Sequence, residues 1–311
     1  MLVHNGPVIK RIVDWVGASA LLAVVRISLA LGDRAAERLA RLAARAAMVA
    51  VPSRRRVAMR NLRRAFGGEK TDAELDVILR EAYRHAATAF KDLLLLYRLP
   101  PAGFASRLEV RGEEYLRAAL ARGRGVVGAS AHFGPFPMLG VAVPTLGVPF
   151  SFLYRPPRNT AIAALFSDWQ ARAGCGIIND APRHLAALKC LEALGQGGVV
   201  CLLVDQHYPA GVDVPFFGHP ARTAIGAAFL AARTGAPLVP MRLMRTIPGR
   251  FRLVIDPPIE PPADRSREAL TECTARLTTQ VEGWVREAPT HWFWVHRRWK
   301  DLDRLEDSRT R

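Results

Sequence analysis

The sequence lacks the usual marks of disulfide-bonded, zinc-binding and membrane-spanning proteins. Its four cysteines, spread over 311 residues, form no C-x-x-C pair. Three of them lie within apolar or mixed helical patterns, which indicates reduced packing residues in a cytosolic compartment. Long hydrophobic runs are also missing. The apolar run "WVGASALLAVV" at 15–25 has only 11 residues, fewer than the about 20 that cross a bilayer.

This amino-terminal run is compatible with three placements. It is bounded by Asp14 and Arg26, and it does not resemble a cleaved signal peptide. It can lie in the plane of a membrane or insert partly, or it can form a buried core helix. It can also cross the membrane if "ISLALG" extends it over 13–31 and Arg26 snorkels. We predict the in-plane or partly inserted anchor, and the other two placements remain open.

Acidic residues are scarce in the first 66 positions, which hold 13 Lys and Arg against 3 Asp and Glu, or +10 of the total formal charge of +16. No nucleic-acid recognition motif or basic stripe interleaved with aromatics is present, so nucleic acid is not the expected partner. Basic residues that flank apolar helices favour an anionic membrane surface. The residues predicted to contact headgroups are Arg54, Arg55, Arg56, Arg297, Arg298 and Lys300.

Helical patterns fill the chain up to about residue 97, and strands alternate with helices after it. The segments 32–51, 53–67 and 71–99 have helical spacing, and the last begins with a Thr-x-x-Glu capping box. Beyond residue 100, six short apolar runs alternate with helical segments, one of them a helix predicted to start at Pro135, and residues 206–224 are predicted to form a loop. This predicts an α/β fold, a layered mixed sheet flanked by helices. The predicted domains are a helical membrane-anchoring region at 1–100 and an α/β domain at 101–311.

One strand ends on an ionisable side chain. In "VVGASAHFGPFPML" (126–139), an apolar run leads to His132, followed by Gly134, Pro135 and Pro137. Ligands of open α/β sheets bind at the carboxyl ends of strands, where a histidine can deprotonate a hydroxyl. Gly134 permits a tight turn, and the N–H groups of a following helix could stabilise an oxyanion. The alternative is a structural histidine at a strand end.

Five segments, in order over about 53–300, carry a family resemblance. "HFG" resembles the start of H-F-G-N-W-E, and "RRRVAMRNLRRAFG" is similar to R-x-x-x-x-N-L-x-x-A-F. "YRPPRN" (154–159) resembles Y-R-P-x-x-N. The segment from "LLVDQHYPAGVDVPFFG" to "AARTGAPLVP" resembles D-Q…G-V-x-V-x-F-F-G…T-G-A-P, and "HWFWVHRRWK" resembles W-x-W-x-H-R-R-W/F-K. Together these segments resemble the lipid A biosynthesis acyltransferases, in the superfamily that also includes mannoside and lysophospholipid acyltransferases.

The resemblance implies the reaction and the partners. A fatty acyl group would pass from a thioester, on acyl carrier protein or coenzyme A, to a hydroxyl of a lipid A-type glycolipid, with His132 as general base. No cofactor or metal is implied, because the thioester supplies the driving force. The implied location is the cytoplasmic face of the inner membrane. A lysophospholipid or specialised lipid acceptor, and a lipid-binding protein that has lost catalysis, remain open.

The sequence departs from the family pattern where an acid should follow the histidine. The family places Asp or Glu five residues after it, and here that position is Pro137, which cannot orient an imidazole. Asp205 ends the apolar strand "GVVCLLVD", and ends of neighbouring parallel strands converge. We therefore predict a His132–Asp205 dyad assembled from two strands, with His207 or a backbone carbonyl as rivals for Asp205.

Further positions are predicted to bind substrate. Arg155 and Asn159 follow a strand and suit a phosphate of the acceptor or of a pantetheine arm. Arg222 and Thr223 precede an alanine-rich helix, where anions bind, and Gly134 completes this set. The alternatives are a surface arginine for Arg155 and an ordinary helix cap for Thr223.

Overall fold

In the part of the chain that the structure describes, four α-helices precede the first β-strand. The computed structural model describes residues 33–95, 99, 101–155 and 160–309. The four helices are α1 (Asp33–Ala50), α2 (Pro52–Phe66), α3 (Asp72–Leu95) and α4 (Pro101–Ala105), so the helical patterns predicted the first three correctly. Within these ranges, no helix is long and apolar enough to cross a bilayer. The anchor predicted at 13–31 lies outside the described residues.

The start of α3 is a capping box, as the sequence predicts. The Thr71 N–H donates to the Glu74 carboxylate at 2.7 Å, and the Glu74 N–H donates to the Thr71 hydroxyl at 3.4 Å. These two bonds satisfy N–H groups that the first helical turn leaves without partners. Helix α2 instead begins with Pro52, whose missing N–H costs nothing at that position.

Helices α1 and α3 pack together and are tied to the sheet by a four-charge cluster of Glu37, Lys91, Asp92 and Arg245. Lys91 Nζ lies 3.3 Å from Glu37 and 3.0 Å from Asp92. The Arg245 guanidinium lies 2.9 Å from each carboxylate. All four side chains are at most 12% exposed, so the cluster is a buried link between the amino-terminal helices and the sheet.

The strands form a seven-stranded sheet and a separate hairpin. The strands are β1 (Leu108–Arg111), β2 (Val126–Ser130), β3 (Phe150–Tyr154), β4 (Cys175–Asn179), β5 (Val199–Leu203), β6 (His207–Phe216), β7 (His219–Thr223), β8 (Leu238–Ile247) and β9 (Arg250–Ile255). The sheet order is β1-β9-β8-β2-β5-β3-β4, and every neighbouring pair is parallel except β8–β9. The predicted mixed sheet is confirmed.

The central strands are apolar because both faces of the sheet are covered. Val127 and Val200 pack on one face, and Val126 and Val199 on the other, as alternation along a strand requires. The remaining helices are α5 (Glu113–Leu120), α6 (Leu139–Ala142), α7 (Thr160–Arg172), α8 (Arg183–Gly195), α9 (Gly226–Thr234), α10 (Arg267–Glu287) and α11 (Lys300–Arg309).

The structure corrects the sequence prediction in two strand regions. Strand β4 was not predicted, although its residues pair with β3 along its whole length. The predicted loop at 206–224 is mostly the antiparallel hairpin β6–β7, which packs against α10. Two prolines and a glycine in β6 favour a loop on local grounds, and pairing with β7 overrides that tendency.

The helix predicted to start at Pro135 is also corrected. A single 3₁₀ turn, Phe136–Met138, leads into the four-residue α6. Proline at positions 135 and 137 removes two backbone donors, which limits regular helix formation. Gly134 has φ of +56°, and a Cβ there would lie 2.4 Å from the Leu243 carbonyl oxygen. The tight turn predicted at Gly134 is therefore confirmed, and it requires glycine.

Candidate active site

The register of two neighbouring strands places His132 beside Asp205. Strands β2 and β5 are parallel, and Ser130 lies opposite Leu203 at their carboxyl ends. The Val204 N–H extends the pairing by donating to the Ser130 carbonyl at 2.9 Å. His132 lies two residues after Ser130, and Asp205 lies two residues after Leu203. Two segments that are distant in the sequence therefore place these side chains at the same point of the sheet edge.

Asp205 holds both the backbone and the ring of His132. Its Oδ1 lies 2.8 Å from His132 Nδ1, and its Oδ2 accepts the His132 N–H at 2.9 Å. The Trp292 indole N–H also donates to Oδ2, at 2.8 Å. The predicted contact between His132 and Asp205 is therefore present. His207 is not the partner, because its ring contacts Asp301 at 3.2 Å.

The electrostatics of the pair favour an ionised Asp205. Burial by itself raises the pKa of this carboxyl, but the His132 imidazole and the hydrogen bonds from His132 and Trp292 outweigh it, and the pKa lies below its ordinary value. A lowered folded-state pKa means that ionised Asp205 stabilises the fold above the ordinary carboxyl pKa. This contribution is lost as the pH falls through the lowered value.

The carboxylate determines which imidazole nitrogen carries the proton. An ionised carboxylate only accepts hydrogen bonds, so His132 Nδ1 carries a hydrogen and Nε2 of the neutral ring has a lone pair. The Gln206 side-chain nitrogen lies 3.0 Å from Nε2. The His132 side chain is 20% exposed, which leaves Nε2 within reach of a substrate. The arrangement is that of a general base oriented by an acid.

Two aromatic rings flank the imidazole. The Phe136 ring centroid lies 4.8 Å from that of His132, and the Phe293 centroid lies 6.3 Å from it. The Phe293 N–H also donates to the His132 carbonyl at 3.0 Å. Phe293 is 41% exposed, so one wall of the site is an apolar ring that faces solvent.

An apolar groove begins at this aromatic wall. It has a volume of about 360 Å³, within the range of about 300–1,000 Å³ typical of ligand sites. Small side chains of α1 and α3 form its sides, and residues 292–295 form its floor. We call it the alanine groove; the alanines that line it are Ala36, Ala40, Ala43, Ala44, Ala47, Ala82, Ala86 and Ala87.

Gly134 was predicted to bind substrate, next to N–H groups at a helix start that would stabilise an oxyanion, and the structure corrects its part in this prediction. The Gly134 N–H donates to the His291 carbonyl at 2.8 Å, inside an antiparallel bridge between Phe133 and Trp292. An N–H already bonded within the protein is not free for a substrate. The role of Gly134 is to bring the backbone close to Leu243 and the carboxyl-terminal segment.

Thr223 and Arg298 are not ligand-facing residues. Both are 0% exposed. The Arg298 guanidinium donates to the Thr223 hydroxyl at 2.5 Å and to the Arg222 carbonyl at 3.0 Å. Burial lowers the pKa of Arg298 to about 10. The predicted anion site at Thr223 and the predicted headgroup contact at Arg298 are therefore wrong, because the two side chains are buried and hydrogen-bonded to each other.

The remaining predicted anion ligands form ion pairs or lie outside the structure. Arg155 pairs with Asp180 at 2.9 Å and is 73% exposed. Arg222 pairs with Asp213 at 2.7 Å across the hairpin. Neither guanidinium is brought into contact with the imidazole. Asn159 lies outside the described residues. A role of Arg155, Asn159 and Arg222 in substrate binding stays a prediction.

The other five basic residues predicted to face a membrane differ in exposure. Arg54, Arg55, Arg56 and Arg297 are exposed, and Lys300 is half-buried at the start of α11. Arg56 and Arg297, with Arg60, line a polar cavity of about 320 Å³. The tryptophans beside them pack inward, each at most 3% exposed, so they belong to the core; they are Trp292, Trp294 and Trp299.

Within the described ranges, no cluster of three or more His, Cys, Asp or Glu side chains is arranged to hold a metal ion. The four cysteines are free and buried, and burial raises the pKa of Cys190 and Cys273 to about 11. They are packing residues, as the sequence pattern predicts.

The sequence did not identify Trp292 or Gln206 as site residues. Gln206 follows Asp205 directly, and the D-Q pair was the only local signal. Trp292 belongs to the carboxyl-terminal aromatic segment, 160 residues from His132. No local pattern assigns its indole to Asp205, because that contact arises only when residues 291–293 pair alongside 132–134.

Comparisons with known proteins identify the family of the chain. The sequence profile described as "Bacterial lipid A biosynthesis acyltransferase" matches residues 7–301. The chain is 28% identical over 296 residues to a lipid A biosynthesis lauroyltransferase of Escherichia coli (strain K12), covering 92% of this chain and 90% of the relative. It is 26% identical over 252 residues to a phosphatidylinositol mannoside acyltransferase of Mycolicibacterium smegmatis, covering 80% of each. A 1-acyl-sn-glycerophosphate acyltransferase from Thermotoga maritima aligns with a TM-score of 0.37 and 15% identity, over 80% of this chain and 97% of that structure. The chain therefore belongs to the bacterial lipid A biosynthesis acyltransferase family and is an acyltransferase.

Proposed function

We propose that this protein transfers a fatty acyl chain from a thioester of acyl carrier protein, or of coenzyme A, to a hydroxyl of a lipid A-type glycolipid. The observation that carries the proposal is the pair of hydrogen bonds that Asp205 accepts from the N–H and the ring of His132, which leaves Nε2 as the basic atom. A protein that only binds lipid has no need of a buried carboxylate aimed at an imidazole. The E. coli relative, a lipid A biosynthesis lauroyltransferase, supports the acceptor class.

In this mechanism His132 acts first as base and then as acid. Nε2 takes the proton of the acceptor hydroxyl as the oxygen attacks the thioester carbon. The resulting imidazolium is stabilised by ionised Asp205 at 2.8 Å. The C–S bond then breaks, and the Nε2 proton passes to the leaving thiolate. The acyl group ends on the acceptor oxygen, and the imidazole returns to its neutral form.

The alanine groove is proposed as the site of the acyl chain. Phe293 lines the groove and also flanks the imidazole, so a chain attached to a carbonyl at Nε2 can pass along this ring into the groove. Alanine side chains leave room between α1 and α3 where larger side chains would fill the space. Burial of a saturated chain against them contributes about 0.8 kcal/mol per methylene.

Bulk introduced into the groove is expected to shorten the acyl chain that the enzyme uses. In Ala43→Phe, kcat/KM for the longest accepted chain should fall about 5- to 150-fold, because extra volume in an apolar site costs about 1–3 kcal/mol. Shorter chains should retain turnover. Ala46→Phe is the matched control, since Ala46 lies on the same helix, is exposed and does not line the groove. Equal chain-length profiles for the two variants would contradict this assignment.

We further propose that the protein works at the cytoplasmic face of the inner membrane, held there in part by arginines of α2. Arg54, Arg55 and Arg56 are exposed on consecutive positions, and each basic residue near an anionic surface contributes about 1 kcal/mol. This position suits an enzyme that takes acyl groups from a soluble carrier and delivers them to a lipid.

Removing the three arginines should weaken membrane binding. The triple variant Arg54→Ser, Arg55→Ser, Arg56→Ser is expected to bind vesicles of anionic phospholipid about 100-fold less tightly at low salt, since three contacts of about 1 kcal/mol are lost. Sedimentation with vesicles measures this change. A control with the same charge loss replaces the exposed Arg265, Arg267 and Arg276 with Ser. If both triple variants lose affinity equally, net charge rather than the α2 surface governs binding.

The acceptor is tested by offering one labelled acyl donor to a panel of lipids. Purified protein would receive acyl carrier protein or coenzyme A thioesters with a lipid A precursor, a phosphatidylinositol mannoside, or a lysophospholipid. The mannoside is included because the mycobacterial relative is a phosphatidylinositol mannoside acyltransferase. Transfer to the lipid A precursor, lost in His132→Ala, would support the proposed function. Transfer only to another acceptor would reassign the substrate, and no transfer to any would favour a lipid-binding protein.

A further inference from the structure

Backbone donors are scarce around the imidazole, although the tetrahedral intermediate of acyl transfer carries a negative oxygen that needs them. The Phe133 N–H donates to the Ala131 carbonyl at 2.7 Å, and the Gly134 N–H donates to His291. Pro135 and Pro137 have no N–H to offer. Among residues 133–138 this leaves the Phe136 N–H, at the start of the 3₁₀ turn, as the backbone donor for an oxyanion. A second donor has to come from a side chain.

Gln206 is a donor that does face the reacting atoms. Its side-chain nitrogen lies 3.0 Å from His132 Nε2, and the residue is half-buried at the mouth of the site. The direction of this bond follows from Asp205. Because the ionised carboxylate keeps the hydrogen on Nδ1, neutral Nε2 only accepts, so the amide NH₂ must be the group that points to it.

This bond occupies the lone pair that the reaction needs. An acceptor hydroxyl must displace the amide in order to give its proton to Nε2. The displaced NH₂ stays within a few ångströms of Nε2, where the attacked carbonyl also lies. Its two hydrogens and flexible side chain suit it to donate to an oxygen that becomes negative as the hydroxyl attacks.

Resting on the proposed function, we propose that Gln206 is a catalytic residue whose amide moves from His132 Nε2 to the oxyanion. The acceptor O–H proton goes to Nε2 as the new C–O bond forms. The carbonyl π pair moves onto the carbonyl oxygen, which accepts a hydrogen bond from the Gln206 amide N–H. When this pair re-forms the carbonyl, the C–S bond breaks and Nε2–H protonates the thiolate. The amide then returns to Nε2.

The test compares Gln206→Leu and Gln206→Asn with the surface control Gln196→Leu. Loss of one oxyanion donor is expected to lower kcat about 100-fold, with little change in KM for the acceptor. Gln206→Asn retains an amide on a shorter side chain and should lie between Gln206→Leu and wild type. Gln196 is exposed at the end of α8, so its replacement should leave kcat unchanged.

A binding measurement distinguishes an oxyanion donor from a structural residue. A long-chain alkylphosphonate has a tetrahedral anionic head, whereas the primary amide with the same chain has a planar neutral head. Gln206→Leu should lose affinity for the phosphonate by a factor similar to its loss of kcat, and should keep its affinity for the amide. An equal loss for both ligands would mean that Gln206 only maintains the shape of the site, which would overturn the inference.

The outcomes separate this inference from the proposed function. If wild type transfers acyl groups, His132→Ala does not, and Gln206→Leu stays within about threefold of wild type, the inference fails and the function stands. If wild type transfers to no acceptor, the phosphonate titration alone decides: selective loss in Gln206→Leu supports the donor, and unchanged affinity overturns it.

Discussion

Asp205→Asn is expected to lower kcat for acyl transfer by about 10³–10⁴-fold, close to the effect of His132→Ala. The reason lies in how the two carboxylate oxygens are used. Oδ2 accepts two hydrogen bonds, from the His132 N–H and the Trp292 indole N–H. The asparagine oxygen will take this position, because an amide NH₂ there would face two donors. The NH₂ then occupies the position of Oδ1, opposite Nδ1.

An amide NH₂ opposite Nδ1 reverses the tautomer. Nδ1 becomes the acceptor, so the hydrogen moves to Nε2, which then has no lone pair for the acceptor proton. The imidazolium also loses its negative partner. Both effects act on the chemical step, so KM for the acceptor should change little while kcat falls.

Steady-state rates with labelled donor measure the effect, and thermal unfolding confirms that the variant is folded. Asp168→Asn is a suitable control, because Asp168 forms an exposed ion pair with Arg172 within α7. If Asp205→Asn keeps more than about a tenth of wild-type kcat, Asp205 does not orient the base and the two-strand dyad is wrong.

The dyad could be predicted from sequence because it depends on a regular feature. When neighbouring parallel strands end at the same level, the residues that follow them lie close together. The apolar runs before His132 and before Asp205 were both recognisable as strands. Asp205 supplies the carboxylate at Nδ1 that the family pattern places one turn after the histidine. With Pro137 at the family's acid position, the carboxylate that contacts the imidazole comes from the end of a neighbouring strand instead.

Other parts of the site could not be predicted, because they depend on distant packing. Arg298 lies in a basic stretch that suggests a surface, yet its guanidinium is enclosed by a threonine hydroxyl, a carbonyl and the Phe216 ring at 5.3 Å. Nothing local distinguishes it from its exposed neighbour Arg297. In the same way, no sequence pattern near Gly134 indicates an acceptor for its N–H, which donates to the carbonyl of His291, a residue distant in the sequence.

The position of the amino-terminal helices relative to the site depends on the buried four-charge cluster. The cluster joins α1, α3 and β8. Helices α1 and α3 form the two sides of the alanine groove. The cluster balances two carboxylates against two cations. Burial is the largest influence on the pKa of Asp92 and raises it, against the attraction of Arg245 and Lys91. Burial also acts to raise the pKa of Glu37, but the hydrogen bonds and charges of Arg245 and Lys91 together outweigh it, and this pKa is lowered.

Arg245→Met is therefore expected to reduce the free energy of unfolding by about 3 kcal/mol. The substitution leaves two buried carboxylates with a single ammonium, and an uncompensated buried charge typically costs about 3–5 kcal/mol. Urea denaturation of the purified protein measures the loss. A surface pair gives the control: Arg172→Met breaks only the exposed contact with Asp168 and should change stability by less than about 1 kcal/mol.

Two further results distinguish charge imbalance from lost packing. Asp92→Asn in the Arg245→Met background restores the balance between Glu37 and Lys91, so the double variant should regain at least half of the lost stability. Asp92 already has a raised folded-state pKa, so its ionisation destabilises the fold as the pH rises through that value. Loss of Arg245 raises this pKa further, and the stability gap between variant and wild type should narrow as the pH falls. A gap that is independent of pH and is not closed by Asp92→Asn would mean that Arg245 stabilises the protein through packing of its side chain alone.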